Sequence, residues 1–194
     1  MYDLLNSLNI LNTHSRDRCQ TMRVALIIFP LMGLLFASSA VSGFSDNVEL
    51  WPFLASFNIS AAEQPIVDVH QPVKQNDFIK HEFQLLTGVH ERELVNVTIY
   101  DYGNGTDVSE NKLMDLITNS VASQTYKAAW DRATVGNMSA MRAKIRSSGK
   151  SSFITAYSPD GKNGTGKVIV LVQSFATSDV TDSFLRSLQI SRDY

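Results

Sequence analysis

The chain has 194 residues, a formal net charge of −2 at pH 7, 44% hydrophobic and 19% charged side chains, and one cysteine. That size suits one domain behind a leader rather than several domains. The near-balanced, scattered charge excludes a nucleic-acid footprint, and a lone cysteine excludes a disulfide framework or a thiolate metal site.

Met22-Arg23 forms a charged n-region, Val24 to Ala37 an apolar run of 14 residues, and Ser38 to Gly43 a small-residue cleavage zone. This is the three-part layout of a secretory signal peptide. A membrane-spanning helix needs roughly 20 apolar residues, so the run is short for one. An uncleaved N-terminal anchor with the domain still outside is the alternative. Ser38-Ser39-Ala40 fits a small-x-small cleavage site, with Val41-Ser42-Gly43 as a second choice. Residues 1–21 are expected to be a misannotated upstream extension, with Met22 the initiator; the other option is a longer n-region using Arg16, Arg18 and Arg23. The expected organisation is therefore extension 1–21, signal peptide or anchor 22–43, and exported domain 44–194. Cys19 lies upstream of the apolar run, so no cysteine remains in the exported part.

Within that part, Trp51, Phe53, Ala55, Phe57 and Ile59 alternate with more polar residues, predicting a half-buried strand in which Pro52 marks a start or an edge. A short apolar piece, Ile66 to Val69, follows. Phe78 to Leu86 and Glu93 to Tyr100 predict two strands, and Tyr102 to Gly105 a turn. Asp107 with Glu110 resembles a capping box. Leu113, Leu116, Ile117 and Val121, then Tyr126, Ala129, Trp130 and Ala133, repeat at helical spacing, predicting a helix or helix pair from Ser109 to Ala133 stopped by Gly136. Met138 to Arg146 fits helix or strand; a strand is preferred because Ser148 to Lys150 then links it as a hairpin to Phe153–Tyr157. The Pro159–Gly166 loop leads into Lys167–Val172, apolar on both faces and so a central covered strand. Thr177 or Ser178 caps a last helix, near 178–188, with Val180, Phe184, Leu185 and Leu188 as its buried stripe.

These elements predict a single α+β domain: a mostly antiparallel sheet of about five to seven strands, with a long helix or helix pair near 109–133 and a C-terminal helix. Its closing portion, a turn-rich hairpin, V-I-V-L-V and then S-F-L-R-S-L-Q-I, resembles the ending of PsbP- or Mog1-type small domains and of small exported archaeal (methanogen) proteins of unknown function. The likeness spans about the last 60 residues. It implies a fold and transfers no catalytic residue.

Charge is uneven along the chain. Phe44 to Glu110 holds 11 acidic and 3 basic residues, whereas Asn111 to Tyr194 holds 6 acidic and 11 basic. The two halves are expected to neutralise each other inside one fold.

The clearest chemical motif is Asn-x-Ser/Thr, the glycosylation acceptor. It occurs at Asn58, Asn96, Asn104, Asn137 and Asn163, five of the twelve asparagines, which is more than Asn-Gly turn preference explains. Asn58 and Asn96 are expected on polar strand faces, Asn104 and Asn163 in turns. Metal candidates reduce to His70, His81 and His90 with Asp68, Asp77 and Glu91, at no ligand spacing; no metal or cofactor is expected. No G-x-S-x-G occurs. Ser109 to Lys112 matches S-x-x-K without its partner motifs, and the glycine-rich loop lacks the spacing of a P-loop. Arg142, Lys144, Arg146 and Lys150 are expected on a solvated face, and Trp51 and Trp130 in the core, a cleft beside either being the alternative.

The function so predicted is an exported, N-glycosylated, non-enzymatic binding or structural module of the cell surface. It would lie outside the cytoplasm, as a possible cell-envelope component, touching the membrane only through a retained N-terminal segment. The alternative is a small hydrolase or enzyme accessory, which requires His81, an acidic residue and a serine in one pocket.

Overall fold

The computed structural model describes residues 42–87, 92–103, 109–122, 128–147, 150–161 and 166–192, all within one compact unit, Ser42–Tyr194. The elements run β1 (Ser42–Leu50), β2 (Phe53–Ala61), β3 (Ile66–Lys74), β4 (Ile79–Leu86), β5 (Glu93–Asp101), α1 (Glu110–Ala122), β6 (Ala128–Val135), β7 (Met138–Ser147), β8 (Lys150–Tyr157), β9 (Val168–Ser174), α2 (Ser178–Ser187) and β10 (Gln189–Arg192). They build a three-stranded sheet, β1-β2-β10, and a seven-stranded sheet, β3-β4-β5-β9-β8-β7-β6. Every pairing is antiparallel.

The expected α+β class with a long helix is therefore corrected to a mostly β architecture. Among the described residues there are ten strands and two short helices. Helix α1 stops at Ala122, and Ala128–Val135 is strand β6. The helical spacing of Ala129, Trp130 and Ala133 loses to hairpin formation. Gly136, at φ 55°, and Asn137 close a two-residue turn that sets Val135 opposite Met138. Trp130, Thr134 and Val135 are strand formers, and pairing with β7 satisfies the backbone in a way that outweighs the weak helix preference of the alanines. Strand β10, which the sequence pattern did not show, pairs with β2 directly after α2.

Turn chemistry explains the remaining borders. Trp51-Pro52, joined by a cis peptide bond, closes the β1–β2 hairpin, so Pro52 precedes β2 rather than sitting within it. Trp51 is 79% exposed at that tip, and Trp130 is 44% exposed on edge strand β6; neither anchors the core. Pro72 falls in a register shift between His70 and Val73 on β3, the opposite edge, where a missing N–H costs no ladder bond.

The core forms two layers. On the inner face of the large sheet, Phe83, Val97, Ile99 and Val170 meet Phe53, Ala55, Phe57 and Ile59 from the small sheet, with Phe184 and Leu185 from α2. The Phe57 ring centroid lies 5.8 Å from that of Phe83 and 5.4 Å from that of Phe184. On the outer face, Ile117 of α1 packs with Ala143, Ile145, Ile154, Ala156, Ile169 and Leu171. Strands β8 and β9 are thus buried on both sides.

The Pro159–Gly166 loop, whose residues 162–165 lie outside the described set, ends in a close contact. The Asp160 carboxylate accepts from the Lys167 and Val168 amides, both at 3.1 Å, and lies 3.0 Å from Ser158 Oγ. A Cβ on Gly166 would stand 2.3 Å from both Asp160 Oδ1 and Ser158 Oγ. Glycine here serves packing. No helix among the described residues is long and apolar enough to cross a membrane.

Phe184→Ala is expected to lower the unfolding free energy by about 3–5 kcal/mol, and Gly166→Ala by about 1–3 kcal/mol through overpacking. Gly43→Ala, with nothing within 4 Å of the added carbon, is expected to leave stability unchanged. Urea midpoints of the three variants test the ranking.

Candidate functional site

Strand alternation divides the chemistry-bearing side chains among three surfaces. On the outer face of β3–β5, Glu82 is a hub. Its Oε2 receives Lys80 Nζ at 2.5 Å and its Oε1 receives Asn96 Nδ2 at 2.7 Å. His70 Nδ1 lies 3.7 Å from Glu82 Oε2, and His70 Nε2 lies 3.4 Å from Asp68 Oδ2. Burial pushes the Glu82 carboxyl upward, but the hydrogen bonds from Lys80 and Asn96 and the Lys80 and His70 charges outweigh it and hold it below the ordinary value. Neighbouring Glu93 is pushed up by burial and by the Glu82 charge, against its hydrogen bond with Asn96. Among the described residues, no three His, Asp or Glu side chains gather in a metal-holding group.

The inner face holds the second set. His81, adjacent to Glu82 in sequence, points the opposite way and is 2% exposed. Neither ring nitrogen has a hydrogen-bond partner. Its ring meets Phe53 edge-on at 5.3 Å, while the Arg192 guanidinium lies over Phe53 at 5.3 Å and bonds Asp101 Oδ2 at 2.5 Å. Burial depresses the His81 pKa; Asp101 opposes this and Arg192 adds to it. A cleft of about 180 Å³ lies beside this group, lined by Phe53, Pro159, Asp160, Val168, Ile190 and Arg192. The Ser158 hydroxyl donates to Val168 O at 2.7 Å and Asp101 is held by Arg192, so no serine–histidine–acid relay runs through His81. Thr155 Oγ1 and Tyr157 Oη are likewise buried without partners, and burial raises the Tyr157 pKa.

The third surface is the outer face of the small sheet, where Asn58 is exposed. Its Oδ1 accepts from Ser45 Oγ at 2.5 Å, and its backbone N–H donates to Ser187 Oγ at 2.8 Å.

The sequons therefore differ in placement. Asn58 is exposed on β2 and Asn137 in the β6–β7 turn. Asn96 stands on the face away from the inner core, as the alternation implies, yet is only 8% exposed, with its amide nitrogen bound to Glu82. Asn104 and Asn163 lie outside the described residues, as do His90 and Glu91. Among the metal candidates, His70 and Asp68 share one face of the sheet, beside Glu82, and His81 faces the other; Asp77 adds its charge near Tyr102. Ser109 opens α1, its carbonyl accepting from the Lys112 amide at 3.0 Å.

Of the basic residues of β7, Arg146 is exposed and Arg142 is tied to two carboxylates. Arg142 makes a two-pronged pair with Asp131 on β6, at 2.9 and 2.7 Å, and reaches Asp182 on α2 at 2.6 Å. The hydrogen bonds it donates to Asp131 and Asp182 raise the Arg142 pKa despite its burial, and accepting from Arg142 lowers that of Asp131. Lys144 Nζ sits 5.4 Å from the Phe153 ring centre. Of the described ion pairs, Arg192–Asp101 joins the acidic to the basic half, whereas Lys80–Glu82 and the Arg142 pairs lie within halves. Neutralisation is mostly local. The Glu82 hub and the Arg142 fork carry no signal in the sequence, because strand partners set them and only register identifies partners.

No protein-family model, curated protein or solved structure matches the chain.

The depressed pKa of His81 fixes the sign of a pH effect. Its stabilising contribution is complete above the unfolded value of 6.5 and is lost as the pH falls through the lower folded value. The wild-type urea midpoint is expected to decline below pH 6.5 before the carboxylate range is reached. His81→Leu is expected to flatten that limb; an unchanged slope in the variant would assign it to other groups.

Proposed function

We propose that this chain is an exported, N-glycosylated, non-enzymatic module that binds or builds at the cell surface. The observation that carries this proposal is the exposure of Asn58 and Asn137, two sequon asparagines held at defined points of a β-sandwich. A bulky polar glycan needs such positions. The leader pattern agrees with it: strand β1 opens at Ser42, so a cut after Ala40 leaves every β1–β2 pairing in place. A cut after Gly43 would remove the pairings of Ser42 with Ala61 and Gly43 with Ser60. Cleavage after Ala40 is therefore the favoured site.

A domain outside the cytoplasm without cysteine must rely on apolar burial for its stability, and the doubly covered β8 and β9 supply it. The hydrolase alternative requires His81 to engage a nucleophile, and both its nitrogens are unpartnered.

Expression of the full chain with its own leader in a secreting host tests the proposal. The expected result is a protein outside the cytoplasm that begins at Val41 and loses mass on deglycosylation. An intracellular, unmodified chain that retains residues 1–21 would overturn it.

A further inference from the structure

A groove of about 340 Å³ crosses the outer face of the small sheet, with Ser45, Asn47, Ser56, Asn58, Ser187 and Gln189 in its lining. The register explains their convergence. Ser45 stands opposite Asn58 and Asn47 opposite Ser56, while Gln189 of β10 faces Ser56 from the other side. Three strands thus set hydroxyl and amide groups around one acceptor asparagine, two residues before Ser60.

Asn58 is held at three atoms. Its Oδ1 accepts from Ser45 Oγ at 2.5 Å, its backbone N–H donates to Ser187 Oγ at 2.8 Å, and its carbonyl lies 2.9 Å from the same hydroxyl. Among the described residues its Nδ2 has no partner, and that is the atom a glycan bonds. Asn96 is the opposite case: its Nδ2 is given to Glu82, and a sugar there would break the hub. Asn137 is exposed in a turn and does not line the groove.

We infer that Asn58 carries an N-linked glycan whose first N-acetylhexosamine lies in this groove, as a fixed part of the β1-β2-β10 sheet. The inference rests on the export reading above. In the transfer, Asn58 Nδ2 forms a bond to the anomeric carbon of a lipid-linked glycosyl diphosphate. The bond from that carbon to the diphosphate oxygen breaks, the lipid diphosphate leaves with the electron pair, and the amide gives up one proton to the transferase. Sugar hydroxyls and an acetamido group match the donors and acceptors that Asn47, Ser56 and Gln189 present. The groove is near the lower size limit for ligand sites, which suits one sugar ring with the rest of the glycan in solvent.

The full chain, secreted from a host that carries out N-glycosylation, tests this by glycopeptide mapping and by the rate of glycosidase release from native and denatured protein. The expected result is occupancy at Asn58 that Asn58→Gln and Ser60→Ala both abolish. Release at Asn58 is expected to be about tenfold slower from the native protein, since a docked sugar must first leave the groove. Release at Asn137, where occupied, is expected to be equal in both states. Gln189→Ala is expected to leave occupancy unchanged and to remove the protection. An exported, leader-cleaved chain with Asn58 bare overturns this inference alone, as does equal release at Asn58 from native and denatured protein. A chain that is neither exported nor modified at any sequon overturns the export reading with it.

Discussion

Strand β9 has to be covered on both faces at once, and most of the architecture follows from that requirement. Val168, Val170 and Val172 belong to the inner core and Ile169 and Leu171 to the outer one. Each such side chain, fully buried, contributes about 1.5–3 kcal/mol, but only if another element meets it. The small sheet and α2 meet the inner row; Ile117 of α1 meets the outer row. Without cysteine after Cys19, no cross-link substitutes for either cover. The two short helices are therefore lids on a sheet rather than a helical layer, which is why a class defined by helix content misdescribes the molecule.

The same requirement explains where polar groups are tolerated inside. Strands β5 and β9, at the middle of the large sheet, present Val95, Val97, Ile99, Val168, Val170 and Val172 to the inner core. His81, Thr155 and Tyr157 sit on the flanking strands β4 and β8. Pairings His81–Ile99, Ile99–Val170 and Val170–Tyr157 place His81 and Tyr157 in one row, three strand spacings or about 14 Å apart. A buried polar group without a partner costs about 1–3 kcal/mol, so these positions weaken the core at its margins and leave its centre apolar. Ser174 and Thr181 show the relieved form of the same problem, their hydroxyls 2.8 Å apart. Next to His81, Arg192 ties the last strand of the small sheet to Asp101 of the large one. The margin most burdened by an unpaired ring is thus also fastened by an ion pair.

The parts legible from sequence were those in which one residue's environment follows from its own chain neighbours. V-I-V-L-V identifies a doubly buried strand, and the alternation over Val95–Ile99 identifies a strand with one apolar face. The apolar stripe likewise locates α2, although Thr177 at its N-cap makes no side-chain capping bond. The alanines of 128–133 are compatible with either period, and the deciding factor, pairing with β7, is not local. Trp51 continues the apolar alternation of β2 by one more step, yet it sits at a hairpin tip. Asn96 shows the same limit for a site: its motif and its face are readable, whereas its engagement by Glu82 depends on a strand fourteen residues away.

That contrast bears on where function resides in this fold. Polar side chains on a sheet face either bond one another or remain available to something else, and the two outer faces differ in this respect. On β3–β5 the capacity is consumed internally, with Glu82 engaged by Lys80 and Asn96 and His70 set between Glu82 and Asp68. On β7 the Arg142 charge is likewise engaged, by Asp131 and Asp182. The face around Asn58 is different, because its amide oxygen and main chain are fixed by Ser45 and Ser187 while its amide nitrogen is left over beside further hydroxyl and amide groups. Fixed geometry with unused hydrogen-bonding capacity is what recognition of a polar, multiply hydroxylated group requires. Of the two outer faces, the one built on the small sheet combines both properties.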